Sequence, residues 1–109
     1  MSRVILTGST LTLADVLAVA RGGVQVEIDA GALHAMAEAR AVVDRSIADG
    51  TPAYGVTTGV GSRKVFDVAA DGHDRLLVRQ HRISQGAPVA PEVVRAAVLR
   101  LANALARRV

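Results

Sequence analysis

Residues 54–61 read Tyr54-Gly55-Val56-Thr57-Thr58-Gly59-Val60-Gly61: one tyrosine at the head of a stretch punctuated by three glycines. The segment from Thr51 to about Val65 sustains no helical period and holds Gly55, Gly59 and Gly61, so it reads as a loop. Glycine lets the backbone reach positive φ and come close to a ligand or another chain. The pattern does not serve phosphate. A phosphate loop ends in Gly-Lys-Ser/Thr after a strand, and the dinucleotide fingerprint needs three glycines opening a helix. Neither spacing is present, and taken alone the segment is what many protein surfaces carry.

Outward from the loop the chain is mostly helical in pattern. Upstream, Val4 to Leu6 forms a short apolar run that Thr7-Gly8 ends. Thr12, followed three residues later by Asp15, predicts a capped helix that reaches about Ala20 and stops at Gly22-Gly23. Val24, Val26 and Ile28 alternate with Gln25 and Glu27, a period of two that predicts a brief strand. Asp29 is placed to cap a helix extending to about Asp49, with Leu33, Met36, Val43 and Ile47 on one face and Gly50 and Pro52 as its stop. Downstream, Asp71 is the expected cap of a third helix containing Leu76, Leu77, Gln80 and His81, broken by Gly86 and Pro88. Pro91 suits a first helical turn, and Val94, Ala97, Val98, Leu101 and Leu105 then make an apolar stripe expected to be covered by further chain or by self-association. Arg107, Arg108 and Val109 supply no stop signal, so the last helix is expected to break off within itself or at its end. The fold class is mainly α with a minor β element.

Composition bounds the rest. A chain of 109 residues is at most one domain's worth of polypeptide. Half of it is apolar but only 2% aromatic, so a core must be built from alanine, valine, leucine and isoleucine, which favours closely spaced helices. Without cysteine there is no disulfide framework and no thiolate metal site, and no metal is expected. The start lacks a signal-peptide pattern, and no apolar run approaches the roughly 20 residues of a membrane span; a cytoplasmic protein without membrane contact is the expectation. The net charge of +3 comes largely from arginines dispersed along helical faces, among them Arg21, Arg40, Arg45, Arg75 and Arg95. Without a dense run or interleaved aromatics, nucleic acid is not an expected partner.

The loop resembles the Tyr-Gly-Val/Ile-Asn/Thr-Thr-Gly-Phe-Gly signature of the aromatic amino acid ammonia-lyases, the family of histidine, phenylalanine and tyrosine lyases. Its surroundings agree in order and spacing: Leu11-Thr12-Leu13-Ala14-Asp15-Val16, Val26-Glu27-Ile28-Asp29, Arg40-Ala41-Val42-Val43-Asp44, Pro91 to Ala96 and Leu101 to Arg107 each resemble a family segment. The likeness runs along essentially the whole chain, which would correspond to the first fifth or so of a full-length member. It implies the N-terminal part of the helical, fumarase/aspartase-like ammonia-lyase fold, with the tyrosine loop at residues 51–65 and the remainder of the domain outside residues 1–109. It also implies a homotetramer whose sites combine loops from several subunits.

The resemblance implies elimination of ammonia from an aromatic L-amino acid to a trans-arylacrylate. The family's electrophile, 4-methylidene-imidazole-5-one, forms from an internal Ala-Ser-Gly, and that tripeptide does not occur between Met1 and Val109. The 109 residues alone are therefore expected to be inert. By the same resemblance Tyr54 is the base that removes the β-proton, and Gly61 lines the substrate pocket where a side chain would intrude. A free phenol loses its proton only near ~10, so such a base needs neighbours that favour its deprotonated form; Arg63 and Lys64 follow the loop. Counting back from Pro88 and Pro91 places His81 where histidine- and tyrosine-type lyases carry a selectivity histidine, able to hydrogen-bond a polar aryl group. His34 and His73 are expected at the surface.

Three departures bear on substrate identity. Val60 replaces the usual phenylalanine, Thr57 is more typical of the phenylalanine and tyrosine branches, and Arg82-Ile83-Ser84-Gln85 replaces a run of small residues. Histidine or tyrosine is the favoured substrate. An aminomutase of the same family would share loop and electrophile but return a β-amino acid, and a non-catalytic helical association module would lack the downstream Ala-Ser-Gly.

Overall fold

The computed structural model describes residues 3–68 and 73–108. Its elements are β1 (Arg3–Leu6), α1 (Leu13–Gly22), β2 (Gln25–Ile28), α2 (Ala30–Ala48), a 3-10 turn at Gly61–Arg63, α3 (His73–Gln80) and α4 (Pro91–Leu105). The class is the expected one, mainly helical with a small sheet. β1 and β2 pair in parallel, Arg3 opposite Gln25 through Leu6 opposite Ile28, with α1 as the crossover that a parallel pair requires.

The caps form where the sequence puts them. Thr12 Oγ1 accepts from the Asp15 N–H at 3.2 Å while Asp15 Oδ2 accepts from the Thr12 N–H at 2.9 Å, a reciprocal capping box. The Thr12 hydroxyl and backbone N–H hold the Asp15 carboxyl below its usual range. Gly23, at φ 66°, ends α1 with its N–H on the Val19 carbonyl. Asp29 Oδ2 accepts from the Ala32 N–H at 3.1 Å and opens α2. The cap expected at Asp71 lies outside the described residues.

The chain divides into two compact units, Met1–Ala39 with Ala87–Val109, and Arg40–Gly86. In the first, Val4, Leu6, Val19 and Leu99 form the core, with Leu11, Val16, Val24 and Ala102 packed against it. Arg95 Nη1 donates to the Ala20 carbonyl at 3.1 Å, a cation on the carbonyl end of α1, and Arg21 meets Glu92 at 3.1 Å.

α2 and α4 each bury a row other than the apolar face read in the sequence, and the α4 stripe stands uncovered within this chain, as expected. On α2 the buried residues are Ala32 and Ala35, while Leu33 is exposed and Met36, Val43 and Ile47 are only half-buried. On α4, Val94, Val98, Leu101 and Leu105 are exposed; the inward row is Leu99, Asn103 and Ala106, one residue on and so about 100° round the helix. A specific contact fixes this rotation. The Gly8 N–H donates to Asn103 Oδ1 at 3.0 Å, and a Cβ on Gly8 would meet Arg107 Cγ at 2.5 Å, so the β1–α1 loop docks on this face only as glycine. α4 closes at Leu105, with the Ala106 N–H on the Ala102 carbonyl. Among the described residues no helix is long and apolar enough to cross a membrane.

Candidate tyrosine loop site

Tyr54 stands on a tight turn in the second unit. Gly50, at φ 67°, closes α2. The Ala53 carbonyl then accepts from the Val56 N–H at 3.0 Å and the Thr57 N–H at 2.9 Å, and Thr57 Oγ1 accepts from the Ala53 N–H at 2.8 Å. One turn of helix-like backbone is thereby wound around Tyr54. Beyond it, Thr58 pairs with Asp67 in an isolated antiparallel bridge, flanked by Gly59 N–H on the Phe66 carbonyl at 3.2 Å and Val68 N–H on the Thr57 carbonyl at 2.9 Å. The intervening residues fold into the 3-10 turn at Gly61–Arg63.

That turn brings two of the expected site residues together. The Gly61 N–H donates to Tyr54 Oη at 3.0 Å, closing the loop on itself. The Tyr54 side chain is otherwise open, at 65% exposure. Gly61 adopts φ +60°, and a Cβ there would meet nothing within 4 Å, so within this chain the glycine answers to backbone conformation and not to crowding. Gly59 is the crowded one: a Cβ would come within 2.7 Å of both Cβ and the carbonyl oxygen of Arg63. Arg63 also lines a cleft of about 420 Å³ with Gly59, Phe66, Asp67, Val68 and Leu76. Among the described residues, neither Arg63 nor Lys64 hydrogen-bonds the Tyr54 oxygen, whose partner is the Gly61 N–H.

His81 is placed differently from the expectation. It lies one residue beyond α3, which stops at Gln80, well short of Gly86. The His81 N–H still reaches the Leu77 carbonyl at 3.3 Å, but the Arg82 N–H has slipped to the Arg79 carbonyl, three residues back, and the helical ladder ends. The ring turns onto its own helix, Nδ1 on the Leu77 carbonyl at 2.7 Å. Because a carbonyl can only accept, Nδ1 carries the hydrogen and Nε2 of a neutral ring is left as acceptor. The described hydrogen bonds of Tyr54 and Gly61 do not extend to His81. His34 is exposed on α2, 3.6 Å from Glu38, and the His73 side chain lies outside what is described.

Sequence reasoning passed over the two threonine hydroxyls. Thr58, buried to 7% exposure, accepts from the Gly55 N–H at 3.3 Å and donates to the Gly59 carbonyl at 3.0 Å. Paired threonines between glycines are a signal for such side-chain-to-backbone closure. Among the described residues no group of three or more histidine, cysteine, aspartate or glutamate side chains is placed to hold a metal ion.

Comparison with known proteins completes the description. The family profile for aromatic amino acid lyases matches residues 11–108. A histidine ammonia-lyase of Caldanaerobacter subterraneus subsp. tengcongensis is 38% identical over 98% of this chain and 22% of its own length. Among solved structures, the ergothionase of Treponema denticola, crystallised with desmethyl-ergothioneine sulfonic acid, superposes with a TM-score of 0.91 at 32% identity, over 97% of this chain and 22% of that one. A tyrosine aminomutase variant superposes with a TM-score of 0.90 at 29% identity, over 97% of this chain and 21% of that one. The chain thus spans about a fifth of the length of the curated relatives it matches. With the profile matching residues 11–108 and solved relatives superposing over 97% of it, the chain belongs to the aromatic amino acid lyase family.

Proposed function

We propose that this chain is the N-terminal segment of an ammonia-lyase acting on an aromatic L-amino acid, histidine or tyrosine by preference, and that it contributes the catalytic tyrosine. The observation that carries the reading is the closed loop: an exposed phenol whose oxygen is already held by a backbone N–H at 3.0 Å, in a chain that belongs to this family. Tyr54 takes the β-proton of the substrate on Oη. Gly61 fixes where that oxygen stands, and its lack of a side chain keeps the approach clear. His81, with Nδ1 committed to Leu77, offers Nε2 to a donor on the substrate ring, either a phenol hydroxyl or an imidazole N–H.

The residues present fit a site that also holds 4-methylidene-imidazole-5-one, since the open face of Tyr54 leaves room for both substrate and electrophile. When bound, that group supplies the electrophile that makes the amine a leaving group. Its Ala-Ser-Gly precursor is not among residues 1–109, so it would come from sequence beyond them. A homotetramer in the cytoplasm, with each site built from several subunits and a small amino acid as substrate, completes the proposal. An aminomutase is the second reading, favoured by the tyrosine aminomutase likeness; it differs in returning the amine to the β-carbon.

The test is kcat/KM for histidine, tyrosine and phenylalanine in a full-length protein carrying this segment, with product analysis. Tyr54→Phe keeps the ring and removes the proton acceptor, so kcat should fall on the order of 10²–10⁴-fold. His81→Phe should depress histidine and tyrosine turnover relative to phenylalanine, because a polar aryl group would lose its partner. Near-normal kcat in Tyr54→Phe defeats the assignment of the base, and an equal loss on all three substrates in His81→Phe makes that residue structural.

A further inference from the structure

We propose that Thr58 is a positioning residue, its hydroxyl the clasp that sets Tyr54 against Gly61. Naming it so rests on the reading of Tyr54 as the base, whereas the clasp itself is a matter of geometry. The loop has two arms. One begins at Tyr54 and turns through Gly55; the other runs through Gly59 to Gly61. Thr58 Oγ1 joins them, accepting from the Gly55 N–H at 3.3 Å and donating to the Gly59 carbonyl at 3.0 Å. A hydroxyl has one hydrogen to give and lone pairs to receive, so both bonds form at once.

The placement of the rest makes this one group decisive. The main chain of Thr58 is pinned by its bridge to Asp67, and the neighbouring Gly59 and Val68 N–H groups are bonded across the same ribbon. The second arm is therefore anchored by backbone. Among the described residues the first arm has no such ladder; besides the Gly61 N–H on Tyr54 Oη, the bond that ties it across is the Gly55 N–H on the Thr58 hydroxyl. Thr57 does a different job. Among the described residues its Oγ1 hydrogen-bonds the Ala53 N–H and carbonyl, on the near side of Tyr54, and shapes the turn without spanning the arms. The burial of Thr58 fits its role, because water cannot readily replace a hydroxyl enclosed in this way.

Hydrogen exchange at the Gly61 amide in the intact chain tests the clasp, because that amide is bonded to Tyr54 Oη and reports whether the two arms meet. Thr58→Val keeps the shape and removes the hydroxyl; Gly61 exchange should quicken about fivefold or more, toward the rate in Tyr54→Phe, with the amides of α2 unchanged. Thr58→Ser restores the hydroxyl without the methyl and should return Gly61 to within about twofold of the parent. Thr57→Val should leave Gly61 closer to the parent than Thr58→Val does. Unchanged Gly61 exchange in Thr58→Val overturns the proposal. So does a serine variant no better protected than valine, or a Thr57→Val effect as large as that of Thr58→Val. Should Thr58→Val fail to fold, the serine variant decides alone: protection retained supports the clasp, protection lost refutes it. Exchange reads geometry and not turnover, so a failed lyase assay and a failed clasp remain distinguishable.

Discussion

Leu99 and Leu101 sit two residues apart on one helix, and replacing each by alanine should separate sharply in cost. Leu99 is 5% exposed in the core with Val4, Leu6 and Val19, while Leu101 is 55% exposed. Complete burial of a leucine side chain contributes roughly 1.5–3 kcal/mol of transfer free energy, and a closed cavity left by truncation raises the total toward 3–5 kcal/mol. Leu99 also lines an open groove of about 350 Å³ with Leu6, Val19 and Val98, so the space it vacates opens partly to solvent and the cavity contribution is small. Leu99→Ala should therefore destabilise by about 2–3 kcal/mol. Leu101→Ala loses about half the transfer contribution and leaves no enclosed void, for about 0.7–1.4 kcal/mol. The chain has no tryptophan, so urea unfolding is best followed by far-ultraviolet circular dichroism. With a urea slope of roughly 1–2 kcal/mol per molar, the midpoint should drop by about 1–3 M for Leu99→Ala and, at the same slope, by about half that or less for Leu101→Ala. Equal losses, or a larger one at Leu101, would mean that α4 presents its other face to the core, and the rotation assigned from Gly8 and Asn103 would be wrong.

Other perturbations probe the loop, the cap and the chain as a whole. Gly59→Ala places a methyl within 2.7 Å of Arg63 Cβ and carbonyl oxygen, so the turn must move; a loss of about 1–3 kcal/mol is expected, with shifted NMR signals from Tyr54, the one tyrosine present. A neutral Gly59→Ala would show that the turn is looser than drawn. Asp15 has its folded pKa held below 3.8 by Thr12, so its stabilising contribution is complete above that value and fades as pH falls through the lower folded value. Thermal melts between about pH 6 and pH 2 should accordingly show a shallower acid decline for Asp15→Asn than for the parent, and parallel curves would contradict the capping box. Residues 1–109 alone should release no urocanate, coumarate or cinnamate by ultraviolet assay, since they lack the Ala-Ser-Gly precursor; turnover above background would sink the proposed chemistry.

Local signals were enough for most elements and their ends, α3 excepted, which stops at Gln80 and leaves His81 outside it. The Thr12–Asp15 box, Gly23 at φ 66°, the Asp29 cap and Pro91 at the first turn of α4 each satisfy backbone groups within a few residues, so their chemistry is written in consecutive sequence. The tyrosine segment was legible as a loop from its glycines, but its part in a site was read from the family resemblance, since such a stretch taken alone is common on protein surfaces. What the sequence could not decide was which apolar row faces inward. Alternative stripes on α2 and α4 satisfy a helical period equally well, and only contacts from distant residues choose between them. Gly8 meeting Asn103 across 95 positions turns Leu99 into the core and leaves Leu101 outside. The Thr58 clasp and the turning of His81 onto Leu77 were hidden likewise, since both depend on where a side chain finds a partner once the backbone has bent. Periodicity reports that a face is apolar; the rotation of that face is set by long-range packing and hydrogen bonds, which exist only after the chain has folded.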